Sequence, residues 1–247
     1  MKNIKILFTA FLMLALAMGV TSCLDDDENN WQPIAATFRV VDDSDNDYYF
    51  EIENEGKIEK MYPGDRSNSK RPDLPDGQRV IVFFELLEEK VSGYEYNIKI
   101  YGINEILTKN IIPITEETND SIGNDPIDIV GSRISLDKEF IHMSFQYHHY
   151  RSSTEKHMLN LVINKDSPED DYINLEFRHN AYDELGPDVA SGLVTFRLAK
   201  VADQLETKKG IRITYKSINS GTKVKELSLT EKSPIKPETK MGVNTIK

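Results

Sequence analysis

From Thr37 to Ile100 apolar and polar positions alternate with a period of two, the mark of strands that bury one face. Phe38 and Val40 alternate with Thr37 and Arg39, Tyr48, Phe50 and Ile52 form the next apolar face, and Ile58 to Tyr62 the third. The polar run Asp42-Asp43-Ser44-Asp45-Asn46-Asp47 reads as the first turn, and Asn54-Glu55-Gly56 as a hairpin turn. Residues 63–77 hold three prolines and two glycines, which predicts a loop. Arg79 to Leu87 is almost continuously apolar, as a strand covered on both faces would be. Glu88 to Gly93 turns the chain back, and Tyr94, Tyr96, Ile98 and Ile100 line a fifth strand. Five strands with the long break between the third and fourth is the order of an OB-type barrel, expected over residues 35–110 without a helix in the gap.

Residues 111–131 are rich in Pro, Asn, Asp and Gly and read as an interdomain linker. A second set of strands follows. Ile141, Met143, Phe145 and Tyr147 share one face, with Leu159, Leu161 and Ile163 expected as their antiparallel return. Ile173, Leu175 and Phe177 give a third strand, Val194, Phe196 and Leu198 a fourth, and Ile211, Ile213 and Tyr215 a fifth. In the sixth, the step from Val224 to Leu227 and Leu229 changes phase and predicts a bulge. Short strands separated by turns favour a β-sandwich over residues 132–230, with a disordered tail at 231–247. The fold class is therefore all-β, an OB-like five-stranded barrel followed by a C-terminal β-sandwich, with Phe83 and Phe145 as expected core anchors.

The N-terminus is patterned differently. Lys2 and Lys5 precede an apolar run from Ile6 to Val20, which is short for a ~20-residue membrane span and suits a signal-peptide core. It ends at Val20-Thr21-Ser22-Cys23, the layout of a lipoprotein signal in which residues 1–22 are removed and Cys23 is lipidated. Several acyl chains at ~0.8 kcal/mol per buried CH₂ hold a protein on a membrane far better than one. Residues 23–34 then form an acidic tether. Asp25, Asp26, Asp27 and Glu28 match the acidic surface-export signal of Bacteroides-group lipoproteins, the alternative being a plain solvated tether on the periplasmic face. The expected location is the outer membrane, at the cell surface.

Charge and chemistry narrow the function. In 247 residues, 41 Asp and Glu against 30 Lys and Arg give a net charge of -11, which disfavours nucleic acid as a partner. One cysteine excludes a disulfide framework and a Cys-based zinc site. His142 and His148 lie six residues apart on one strand face, roughly 20 Å at ~3.3 Å per residue, too far to share an ion. A cross-strand arrangement with His157 or His179 is the remaining metal reading, and the expectation is no metal and no cofactor. Asp43, Asp45 and Asp47 begin like a calcium loop, but Tyr48 stands where Gly is needed and Asn54 where a bidentate Glu is needed. Asp170-Asp171 and Asp183-Glu184 are carboxylate doublets of the kind glycoside cleavage uses, yet such doublets arise readily in so acidic a chain. There is no nucleophile elbow, phosphate loop or dinucleotide fingerprint, and Ser191-Gly192 is placed before a strand, not before a helix. The chain is expected not to be an enzyme. Of the aromatics Tyr48, Tyr49, Phe50, Tyr94, Tyr96 and Tyr101, most are expected in the barrel wall or core.

Several segments carry a family resemblance: Leu74-Pro75-Asp76-Gly77-Gln78-Arg79-Val80, Tyr94-Glu95-Tyr96-Asn97-Ile98-Lys99-Ile100 and Ile106-Leu107-Thr108-Lys109. In the second half, Leu175-Glu176-Phe177-Arg178-His179-Asn180-Ala181 and Gly192-Leu193-Val194-Thr195-Phe196 add to it. Together with the lipobox and acidic run, the chain resembles the NigD-like lipoproteins. The resemblance implies an OB domain followed by a β-sandwich and supplies no catalytic residues. It also implies a role in immunity to a bacteriocin, with a protein or toxin as partner. A glycan-binding accessory lipoprotein is the alternative, and a hydrolase would need a converging carboxylate pair. Labelling with a palmitate analogue is expected to mark the wild-type chain and to fail on Cys23→Ala; equal labelling of both would exclude a lipid at this residue.

Overall fold

The computed structural model describes residues 31–42, 47–65, 71–163 and 170–229. Cys23, the Asp25–Glu28 run, Asp43, Asp45 and the tail at 231–247 lie outside these. The chain divides into two compact units between Ile106 and Leu107.

The first unit contains β1 (Gln32–Asp42), β2 (Asp47–Asn54), β3 (Lys57–Pro63), β4 (Gln78–Leu86) and β5 (Tyr96–Glu105). They pair in the order β1-β2-β3-β5-β4, and β4 pairs back onto β1, so the ladder returns to its starting strand. The β2–β3 hairpin closes on a two-residue turn, with Asn54 opposite Lys57 and both Glu55 (φ 49) and Gly56 (φ 78) left-handed. That geometry matches the strand twist and is why Gly stands at the second position. Ala36, Phe38, Tyr48, Phe50, Met61, Val80, Val82, Phe84 and Ile98 fill the interior. Phe38, Tyr48 and Phe50 meet with centroids 5.3–5.9 Å apart.

Two expectations change here. The anchor on β4 is Phe84, whereas Phe83 is half-buried on the other face beneath Trp31, at 5.3 Å edge-on. A strand covered on both sides gives no alternation from which to tell inside from outside. On β5 the register slips opposite Phe83 and Phe84, and Tyr101 is the extra residue, so the inward set passes from Ile98 and Ile100 to Ile103 and Tyr101 is left 51% exposed.

The second unit starts at once with β6 (Leu107–Asn110) and β7 (Ile112–Pro113), followed by helix α1 (Glu116–Ile122) and β8 (Asp128–Ile134). Then come β9 (Phe140–His149), β10 (Met158–Ile163), β11 (Tyr172–Asn180), β12 (Asp188–Arg197), a 3-10 helix (Leu198–Gln204), β13 (Gly210–Ser217) and β14 (Gly221–Ser228). One sheet has the order β14-β13-β11-β10-β7 and the other β6-β12-β9-β8. Their facing sides form one core around Phe145, Tyr147, Leu161, Phe177, Phe196 and Ile213.

Residues 111–131 are therefore not a linker. Ile111 and Ile127 belong to this core, and β7 pairs in parallel with β10. Thr115 caps α1 reciprocally with Thr118, Glu116 and Glu117 complement the helix dipole, and Gly123 ends it at φ 76. Arg178 on β11 fixes the helix by donating to Gly123 O (2.7 Å) and Asn119 Oδ1 (2.8 Å). Polar turn residues signalled a connection, and the structure uses them as caps.

Pairing departs from the expected hairpins in two places. β10 is not the return of β9; it pairs with β11 in the opposite sheet, while β9 lies between β12 and β8. The ladder between β13 and β14 runs unbroken from Gly210↔Ser228 to Ser217↔Gly221, so β14 has no bulge. Val224 simply faces out at 53% exposure and Leu227 faces in.

Gly192 on β12 lies opposite Phe145, and a Cβ there would stand 2.4 Å from the Phe145 ring. Gly192→Ala is expected to cost about 1–3 kcal/mol by overpacking. Phe145→Ala and Phe84→Ala should each cost ~3–5 kcal/mol. Urea unfolding of the three variants checks this, and a loss under 1 kcal/mol at Phe84 would contradict its place in the core.

Candidate functional site

The outer side of the first unit carries a patch of tyrosines set in charged side chains. Tyr49 on β2 and Arg39 on β1 are cross-strand partners on the face opposite the core. Tyr94, in the β4–β5 connection, bridges Tyr49 (5.9 Å) and Tyr62 on β3 (5.0 Å). Lys60 lies over the Tyr49 ring at 5.1 Å, a cation–π contact. Glu95 holds the connection to β3: its carboxylate accepts from Lys60 N (2.6 Å) and its amide donates to Lys60 O (3.0 Å).

A chain of polar bonds fixes the ring edges. Tyr49 donates to Glu51 Oε1 (3.1 Å), Arg39 Nε donates to Glu51 Oε2 (2.6 Å), and Arg39 lies 3.7 Å from Asp76. Partial burial, then the Glu51 carboxylate, pushes the Tyr49 phenol up to about 12. Tyr96, packed against the barrel interior, donates to Glu59 (2.6 Å), and burial followed by that bond also pushes it to about 12. Both hydroxyls therefore remain protonated donors across the physiological range.

Of the six aromatics singled out in the sequence, Tyr48 and Phe50 are core, Tyr96 is half-buried, and Tyr49, Tyr94 and Tyr101 face outward. Tyr62 also faces outward, although the pattern from Ile58 to Tyr62 places it among the apolar positions of β3. Its place next to the inward Met61 is the signal for this, since neighbours along a strand face opposite sides.

The histidines do not gather on an ion. His142 meets Thr195 Oγ1 (3.0 Å), His148 meets Gly186 O (3.1 Å) and His149 meets Tyr150 O (3.1 Å). His157 and His179, however, are both buried and their Nδ1 and Nε2 atoms lie 2.9 Å apart. Among the described residues no three His, Cys, Asp or Glu side chains are placed to hold a metal ion.

Of the doublets, Asp170 and Asp171 are each tied to a cation. Asp170 accepts from Tyr172 N, which with Arg212 holds its carboxyl below the usual range, whereas a general acid needs the opposite shift. Arg212 also stacks on Tyr172 (4.3 Å) and donates to Glu226 (3.0 Å), tying β11, β13 and β14. Asp171 pairs with Lys209. Ser191 lies within β12, opposite Gln146, and not before the strand.

Residues 39–106 match the model of the NigD-like N-terminal OB domain, and residues 110–229 that of the NigD-like C-terminal β-sandwich domain. A solved protein of unknown function from Bacteroides vulgatus is 25% identical, covering 88% of this chain and 100% of its own, with TM-score 0.65. A protein described as toxin related from Parabacteroides distasonis is 24% identical over 80% of this chain and 92% of its own, TM-score 0.58. A NigD-like immunity protein from Bacteroides caccae is 18% identical over 82% and 93%, TM-score 0.54. No curated protein matches the chain.

Both raised phenols stabilise the fold at pH below about 10, where unfolded tyrosine is still protonated, and that contribution is lost as pH rises through about 12. Alkaline spectrophotometric titration is expected to show a late phase near pH 12. Glu51→Gln should move the Tyr49 part of it toward pH 10, and an unchanged late phase would exclude the Glu51 contribution.

Proposed function

Because the chain belongs to the NigD-like family, with its N-terminal OB domain and C-terminal β-sandwich, we propose that it is a non-enzymatic cell-envelope lipoprotein that binds another protein. The observation that carries this reading is the tyrosine patch. OB folds present ligands with the face of their second and third strands and the adjoining loops, including the fourth-to-fifth connection. Tyr49 lies on β2, Lys60 and Tyr62 on β3, and Tyr94 and Glu95 in the β4–β5 connection. Tyrosine is enriched at protein interfaces because a rigid amphipathic ring gives contact area at low entropic cost, with a hydroxyl to satisfy polar partners.

The anchor is Cys23, and the run Asp25, Asp26, Asp27 and Glu28 directs the mature chain to the outer surface of the outer membrane. Removing residues 1–22 takes away Lys2 and Lys5 and moves the net charge from -11 to -13. A lipid-held binding module at the cell boundary fits an immunity role, in which the partner is a bacteriocin met before it reaches its target. The immunity protein from Bacteroides caccae shares the architecture and supports this reading.

Deletion of the gene is expected to raise sensitivity to bacteriocin from a related strain, and complementation to restore protection. Tyr62→Ala with Tyr94→Ala should weaken partner binding by about 2 kcal/mol or more, as truncation of interface hot spots does, with the circular dichroism spectrum unchanged. Unchanged sensitivity on deletion, together with saturable binding to a glycan array, would replace this function by glycan binding.

A further inference from the structure

The buried histidines of the second unit form a relay with a fixed direction. His179 Nδ1 lies 3.0 Å from Pro126 O, and a carbonyl oxygen only accepts, so this nitrogen carries the proton. The neutral ring then presents a lone pair at Nε2, and His157 Nδ1, 2.9 Å away, must be the donor. Both rings are thus Nδ1–H tautomers. The rings stack at 5.0 Å, and Tyr147 on β9 meets both edge-on, at 5.0 and 5.9 Å.

Three separate pieces of chain meet at the relay. His157 closes the β9–β10 connection, His179 lies near the end of β11, and Pro126 belongs to the segment between α1 and β8. The same segment is bonded to β11 through Asp125 N to His179 O (2.7 Å) and Ala181 N to Asp125 Oδ2 (2.8 Å). The β11–β12 loop, in which Tyr182 and Asp183 are left-handed, follows directly. It abuts the β9–β10 connection, since a Cβ on Gly186 would stand 2.3 Å from His149 O. These two loops carry the exposed Tyr150, Tyr182 and Leu185.

We propose that the His157–His179–Pro126 relay is an acid-sensitive latch that holds this loop-bearing end of the sandwich closed while both rings are neutral. A second proton on His179 would set its Nε2–H against the His157 Nδ1–H. A proton added to His157 goes to its Nε2 and leaves the Nδ1–H bond to His179 in place, so the charging of His179 is the step that breaks the relay, and burial opposes charging either ring. The groups facing it are His149 at the end of β9, which opposes protonation of His157, and Asp125 and Glu184, which favour it. Burial outweighs the carboxylates, first by desolvation and then through the neighbouring imidazole, and His179 is pushed down to about 4. The unfolded rings charge near pH ~6.5. Stability is therefore complete above that pH and is lost as pH falls from about 6.5 toward about 4, by up to about tenfold in the folding constant per pH unit for each ring.

The test uses the full chain. Ring nitrogen NMR is expected to show both residues as neutral Nδ1–H tautomers at pH 7. In urea unfolding between pH 7.5 and 5, His157→Gln and His179→Gln should each have a shallower pH slope than wild type, by up to one proton. Hydrogen exchange, corrected for intrinsic rates, should show the amides of Asp125 and Ala181 losing protection by pH 5 before those of β1–β5. An Nε2–H tautomer or an imidazolium in either ring at pH 7 overturns the latch, as do equal pH slopes or a loss of protection spread evenly over both units. If the Gln variants do not fold, the NMR and exchange measurements on wild type decide the matter.

Discussion

Every second side chain along a half-buried strand has to leave water, and this covering of strand faces is the constraint from which the rest of the molecule follows. The N-terminal unit meets it by returning its ladder to β1, so that Phe38, Phe50, Met61 and Phe84 cover one another. The C-terminal unit meets it by opposing two sheets, with Phe145 and Phe177 in contact at 6.0 Å. Lys109, half-buried on β6, donates to Leu159 O on β10 and joins the two sheets by a polar bond (2.8 Å). No spacer separates the two solutions. Ile106 N still bonds Arg79 O in the first unit, and Leu107 already pairs with Val194 in the second.

Satisfying the interior leaves the outer faces free for other chemistry, and the two units use them differently. On the first, rings that burial does not require stand outward on β2, β3 and the β4–β5 connection, immobilised by Glu51, Arg39 and Lys60. Held donors and rigid rings are what a protein surface needs to bind without ordering itself first. On the second, the outer face is tied internally. Arg212 gathers Asp170, Glu226 and Tyr172, and Arg178 pins α1 to β11. The first face holds rigid rings toward solvent, and the second is tied together across its strands.

Two of the polar groups kept inside the sandwich are imidazoles bonded to one another. His157 and His179 are the costly ones, because an imidazole in the core is tolerated only with both its donor and its acceptor matched. The relay to Pro126 achieves this for His179 at the point where the chain leaves α1 for β8.

The sequence by itself determined the strands whose apolar positions alternate, from Phe38 on β1 to Tyr215 on β13, because alternation is a local property of a half-buried strand. It also determined the order of the first five strands, through the long break before β4. The acidic charge, the lone Cys23 and the run after it were equally legible, since each is a matter of composition and adjacency. Pairing was decided only in three dimensions: β10 joined β11 and not β9, because nothing in an apolar face states which neighbour will hydrogen-bond to it. The short β6 and β7 and the helix α1 gave no periodic signal and took their structure from the core that Ile111 and Ile127 complete. Which side of β4 faced inward, where Tyr62 emerged, and that His157 would meet His179 across 22 residues all depended on register, which is set by the whole sheet and by no single segment.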